Sequence, residues 1–260
     1  MNEKLNVVFG LVSFFLFSFL AKFISEFSHE FLGHCLFSII TGGGYLAYYV
    51  SWIWPLKFGY AYTYSNSYIS EILIISGGII VCLSISLLVN ILIYFFLKIR
   101  TLQKLYYAVL IHFSFWLGFW AFVNSVGYLL IGALINFGDI RNLSNATGIE
   151  NWIFIFPGLI FFLILFYFIS VNFYQLFAPF LRIKEEFLVS IFWLLIPVIY
   201  ILFYFNPQIN LKISFFFLGL IIMFLPSIFT FLTLRFKTKL WNRIYTFKDN
   251  FSNQKIDNIL

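Results

Sequence analysis

Two of the chain's three histidines stand in one eight-residue stretch, SHEFLGHC, at positions 28–35. His29 and His34 flank Glu30 and are set among apolar residues. Two imidazoles and a carboxylate suit a hydrolytic metal centre. Neutral imidazoles and a further carboxylate hold zinc, a water completes the tetrahedron, and the neighbouring glutamate takes the water's proton. The usual helical form of this motif, H-E-x-x-H, sets its histidines four residues apart; here the spacing is five. On a regular helix, at 100° per residue, His29 and His34 would point about 140° apart and could not share an ion. A π-type turn brings them within about 50°, and such turns often mark functional sites. The spacing therefore predicts a π-bulge within 29–34, with Gly33 the easiest residue to accommodate it.

Other readings of the same residues stay open at this level. On a regular helix Glu26, Glu30 and His34 form an i, i+4, i+8 stripe with Lys22 one turn earlier, which would suit an ion or proton transporter. Alternatively Lys22 and Glu26 merely pair while the histidines bond to neighbouring helices, or the cluster sits in a water-exposed loop. The relay makes Glu26 as important as Glu30, whereas the metal reading makes Glu26 dispensable. Ionisable groups within apolar spans are costly and usually functional.

A zinc ion needs a third protein ligand. Outside the termini and the first apolar run, the acidic residues are Glu71, Asp139, Glu150, Glu185 and Glu186, and the remaining histidine is His112. His112 falls near the opposite end of its span. Asp139 follows a long third apolar run, on the same side as the end of the first, and His34 is about 12 Å of helix from Gly42. Slack in the third run would let Asp139 dip toward the histidines; capping the turn after Gly138 is the other fate open to it. Asn124 and Asn136 are candidates to assist an oxyanion or, equally, to bond a neighbouring helix.

The elements that must position these groups are membrane helices. Hydrophobic residues make up 62% of the 260 residues and charged ones 10%, against roughly a quarter charged in soluble domains. Apolar runs of membrane-spanning length recur along the chain. The expected fold is an all-α polytopic membrane protein of about six transmembrane helices, near 5–40, 69–97, 103–135, 151–173, 187–205 and 211–234. Residues 1–150 would form the candidate metallopeptidase core, 151–234 three further transmembrane helices, and 235–260 a basic cytoplasmic tail.

The first and third runs, at about 54 and 50 Å of helix, exceed a hydrocarbon core of about 30 Å, so at least one should be broken or re-entrant. Between the first two runs, YLAYYVSWIWPLKFGYAYTYS puts Leu46, Tyr48, Val50, Trp52 and Trp54 on one alternation and Phe58, Tyr60, Tyr62 and Tyr64 on another, around a Pro-Leu-Lys-Phe-Gly turn. That pattern reads as a small β-hairpin over 45–64, or as an interfacial aromatic belt without a sheet. Cys35 and Cys82 lie in apolar runs and give no disulfide framework. Twelve Lys and Arg fall on the side of the termini and three on the other, Lys22 lying within the first span. This bias puts the termini in the cytoplasm of a multi-pass protein of the cell membrane. The basic loops and tail suit lipid headgroups as partners, not nucleic acid.

HEFLGH in a first span, a Gly-rich aromatic hairpin, SGG early in the second span and GDIRNLSNATGI after the third together resemble the site-2 protease family of membrane-embedded zinc metallopeptidases, in its short divergent branch. The resemblance covers about residues 20–150. It implies one zinc per chain, held by His29, His34 and Asp139, with Glu30 activating water to hydrolyse a transmembrane or membrane-proximal peptide; a catalytically silent relative would keep the fold alone. The chain differs from the family pattern in its six-residue motif, a form also seen in the soluble dipeptidyl peptidase III family, and in having Ile140 after Asp139. Gly77-Gly78 stands where the family often has Gly-Pro. The family usually opens its site toward the cytoplasm, whereas the charge bias puts these loops outside.

Overall fold

The computed structural model describes residues 3–53, 57–99, 105–181, 184–205, 216–217, 219–221 and 223–234. Five helices are long and apolar enough to cross a bilayer: Val8–Ile40, Tyr68–Leu97, Tyr106–Ile135, Asn151–Ala178 and Glu185–Leu202. Where a sixth span is expected, a shorter apolar helix covers Gly219–Leu234. The start of that expected span and the tail 235–260 lie outside the described residues.

Apolar side chains cover both the inside and the outside of this bundle, as a hydrocarbon solvent permits. Phe15, Ile40, Leu88 and Leu163 are exposed, while the core is aromatic. Phe115, Trp116 and Phe119 of the third span meet Phe173 and Phe177 of the fourth and Phe192 and Trp193 of the fifth. Without a hydrophobic drive between helices in lipid, packing and polar ties must hold them. The Asn172 amide donates to the Asn90 carbonyl at 2.8 Å, and Ser86 Oγ donates to the Gly118 carbonyl at 2.9 Å.

Both overlong spans are locally rewound. The first contains π-helical segments at Ser13–Phe17 and Ser28–Cys35. The third turns π-helical at Tyr128–Gly132. It then breaks at Asn136, which takes the left-handed conformation (φ 53°, ψ 60°), followed by Gly138 at φ 62°. The break feeds a short helix, Gly138–Thr147, which opens on Asp139 and ends at left-handed Gly148, as helices commonly do.

The first two spans touch backbone to backbone. A Cβ placed on Gly33 would lie 2.3 Å from Gly78 Cα, and one on Gly77 would lie 2.1 Å from the Gly33 carbonyl oxygen. Gly33 is thus required by this contact as well as suited to the π-segment.

Strands β1 (Gly44–Tyr49) and β2 (Tyr60–Tyr64) form the expected hairpin, antiparallel from Gly44↔Tyr64 to Tyr49↔Tyr60. The alternation read across 46–54 does not run through it. The register shifts between Tyr45 and Ala47, so Leu46 bulges outward, and Trp54 lies outside the described residues. The hairpin lies along the first span, with Tyr48 against Phe27 and Phe31. At its open end Ser38 Oγ reaches the Gly44 and Tyr64 carbonyls at 2.7 and 2.9 Å.

The glycine contact makes a direct prediction. Gly33→Ala should destabilise the protein by about 1–3 kcal/mol through overpacking, read as a lowered unfolding midpoint in detergent. Gly127→Ala, whose added Cβ meets its nearest atom at 3.9 Å, should leave the midpoint unchanged or raise it.

Candidate metal centre

The π-segment Ser28–Cys35 rewinds the helix where the histidine spacing requires it, and it contains the whole motif. It brings the His29 and His34 rings to 5.0 Å between centroids, at 79° to one another. The regular helix on which Glu26, Glu30 and His34 would line up as one stripe is therefore interrupted over Ser28–Cys35. His29, Glu30 and His34 are all buried.

Asp139 joins them from the other side. Its Oδ2 lies 2.9 Å from His29 Nε2 and 3.5 Å from His34 Nε2. Among the described residues these three form the group of His, Cys, Asp and Glu side chains able to share an ion, with ligand atoms within 4.8 Å of one another. Ligands about 2.0–2.2 Å from a tetrahedral zinc are roughly 3.3–3.6 Å apart, so the three atoms need only small adjustments. Burial alone would raise the Asp139 carboxyl, but the neighbouring His34 and His29 imidazoles outweigh it and hold the group below the usual carboxylate range. Asp139 is thus kept as an anion facing the two rings.

The surroundings fit a metal ligand set. His34 Nδ1–H donates to the Ile74 carbonyl at 2.7 Å. That bond orients the ring with Nε2 toward Asp139 and, in the neutral imidazole, leaves the Nε2 lone pair to ligate, as in metal-bound histidines generally. The Tyr128 ring stacks on His29 at 5.0 Å and 18°, and the Cys82 thiol donates to the Ser25 carbonyl at 3.6 Å. Gly78 leaves the space between the rings open. A Cβ there would be 2.6 Å from His29 Nε2 and 2.8 Å from His34 Nε2. Glu30 lies beside this group without being one of the three, and its Oε1 would be 3.0 Å from a Cβ on Gly59.

The remaining sequence candidates take structural places. His112 bonds to Ser13 at 2.8 Å, in the first π-segment and away from the ligand group. Asn124 donates to Ser25 Oγ at 3.0 Å, the helix-bonding fate, and Asn136 is the left-handed break that aims Asp139. Lys22 and Glu26 do pair, at 2.7 Å. Tyr128, Ile74 and Gly59 carry no signal in the sequence, since each is an ordinary residue until the packing sets it against a site side chain. Gly78 was legible only as part of a Gly-Gly pair.

Gly78→Ala should therefore fill the space in front of both Nε2 atoms and block metal uptake while leaving the bundle folded. The variant should take up no divalent metal on reconstitution, with helical circular dichroism unchanged.

Comparison of the chain with protein-family models, with curated proteins and with solved structures returned no match. The chemistry assigned to these residues rests on their own geometry.

Proposed function

We propose that the chain is an intramembrane zinc metallopeptidase that hydrolyses peptide bonds of membrane-associated substrates. The observation that carries this reading is the convergence of His29 Nε2, His34 Nε2 and Asp139 Oδ2, within 4.8 Å of one another, beside a buried glutamate. Two nitrogens and one carboxylate oxygen are the protein ligands of a catalytic zinc site, which keeps its fourth position for water. The resemblance to site-2 proteases points the same way.

A bound zinc supplies a Lewis acid that polarises the scissile carbonyl and lowers the pKa of a coordinated water to about 7. The chain's own residues do the rest. The Glu30 carboxylate accepts a proton from the attacking water as its oxygen bonds to the carbonyl carbon. Glu30 then returns that proton to the leaving nitrogen as the C–N bond breaks. Asp139 and His34, the latter steadied by the Ile74 carbonyl, hold the ligand geometry. A substrate segment must be extended to present one bond, and an edge of the 44–64 hairpin offers backbone groups with which to pair it. Twelve basic residues on the side of the termini against three opposite support cytoplasmic termini in the cell membrane. That orientation opens the site toward the outer face.

Metal content by mass spectrometry tests the reading. The native protein should carry about one zinc per chain, His34→Ala and Asp139→Asn should lose it, and Glu30→Gln should keep the metal but lose hydrolysis of membrane peptides. Absence of metal from native protein after zinc reconstitution would sink the proposal.

A further inference from the structure

Below the ligand group in the first span, Lys22 and Glu26 form an ion pair that is almost wholly buried, with Nζ 2.7 Å from Oε2. A buried pair contributes little net stability, because desolvation offsets the attraction; its best-attested use is to fix a register. The register here is that of the hairpin. Lys22 Nζ donates to the Ser51 carbonyl at 2.6 Å, and the Ser51 N–H donates to Glu26 Oε1 at 3.2 Å. One ion pair thus satisfies both backbone groups of a fully buried residue just past β1, where the ladder has ended at Tyr49↔Tyr60. Buried backbone groups that leave a ladder need such partners. Trp52 adds to the hold by stacking on Phe23, with ring centroids 4.1 Å apart.

The same carboxylate faces the start of the other strand. A Cβ on Gly59 would fall 2.7 Å from Glu26 Oε1, 2.9 Å from the Tyr49 carbonyl and 3.0 Å from Glu30 Oε1. Gly59 precedes β2, so both sides of the hairpin's loop end meet the first span at Glu26, one turn from Glu30. With Ser38 holding the open end, the hairpin is fastened at two points, Glu26 and Ser38, twelve residues apart along the first span.

We infer that Lys22 and Glu26 are positioning residues: their ion pair fastens the hairpin to the first span through Ser51 and so holds Gly59 against the carboxylate of Glu30. The importance of Glu30 rests on the peptidase reading; the fastening does not. It also removes the expectation that Glu26 is dispensable in a peptidase.

The test uses the full-length protein in detergent with a thiol placed at the fastening point. Ser51→Cys keeps the backbone contacts, and the native thiols Cys35 and Cys82 are themselves buried. A maleimide should label position 51 slowly in this background. Adding Glu26→Gln or Lys22→Met should speed labelling about tenfold or more through local release, with zinc retained and Cys35 and Cys82 still protected. Lys22→Arg, which keeps the charge, should restore slow labelling. Turnover of a quenched transmembrane peptide should fall in the two disrupted variants and recover in Lys22→Arg. Slow labelling in both disrupted variants would overturn the inference, as would labelling of all three thiols together, which reports global loosening. A native protein without zinc or turnover would defeat the peptidase reading, and labelling at position 51 would still decide the fastening.

Discussion

In hydrocarbon a helix cannot release its backbone hydrogen bonds, because no water is there to replace them. Side chains five residues apart can be brought to one face only by rewinding the helix while every N–H keeps a partner. The π-segment Ser28–Cys35 does this, and much else follows from it. The second span comes in until backbones touch, which excludes a side chain at Gly33 and Gly77 and brings Gly78 against the two histidine rings. At that range His34 reaches the Ile74 carbonyl, and the room left at Gly78 becomes the space in front of both Nε2 atoms. Histidine spacing, glycine pair and ring orientation are thus one constraint met three ways.

Rewinding recurs in the third span but serves a different end. The π-turn at Tyr128–Gly132 and the left-handed Asn136 shorten an overlong run and swing the next helix back, so that its second residue, Asp139, reaches the histidines. Tyr128, on the same π-turn, closes over His29. The first π-segment, Ser13–Phe17, makes a useful contrast, for it places Ser13 against His112 within the bundle. A π-turn in a membrane helix therefore accommodates excess length or a buried polar pair as readily as a site. The ionisable groups it gathers distinguish one use from the other.

The parts legible in the sequence were those with a local period or spacing. Composition and run length gave the membrane helices, the five-residue interval gave the rewinding, and aromatic alternation gave the hairpin. Asp139 was legible because few acidic residues stood outside the first span and because the third run was too long to end where hydropathy ended. What escaped depends on packing between distant segments. Tyr128 is one of sixteen tyrosines, and nothing local ties it to His29, nor Gly59 to Glu30. Glu26 was visible as Lys22's partner, but its role turns on Ser51, which reads as an ordinary loop serine. The bulge at Leu46 also defeated simple alternation, because one extra residue in a strand reverses the faces that follow.

Charge balance bears on which ion the site suits. In a low-dielectric bundle, uncompensated charge is expensive, and Lys22 and Glu26 already compensate one another. The ligand group and its neighbour comprise two imidazoles, neutral when they ligate, with Asp139 and Glu30. Both carboxylates ionised carry two negative charges, which a dication cancels and a monovalent ion does not. Calcium and magnesium take mostly oxygen ligands in larger number, whereas imidazole nitrogens with one carboxylate suit zinc and its neighbours in the transition series. The donor set and the charge it leaves therefore favour the same kind of ion. Because Glu30 is not one of the three converging ligands, its carboxylate would be available to move the proton that the proposed hydrolysis requires.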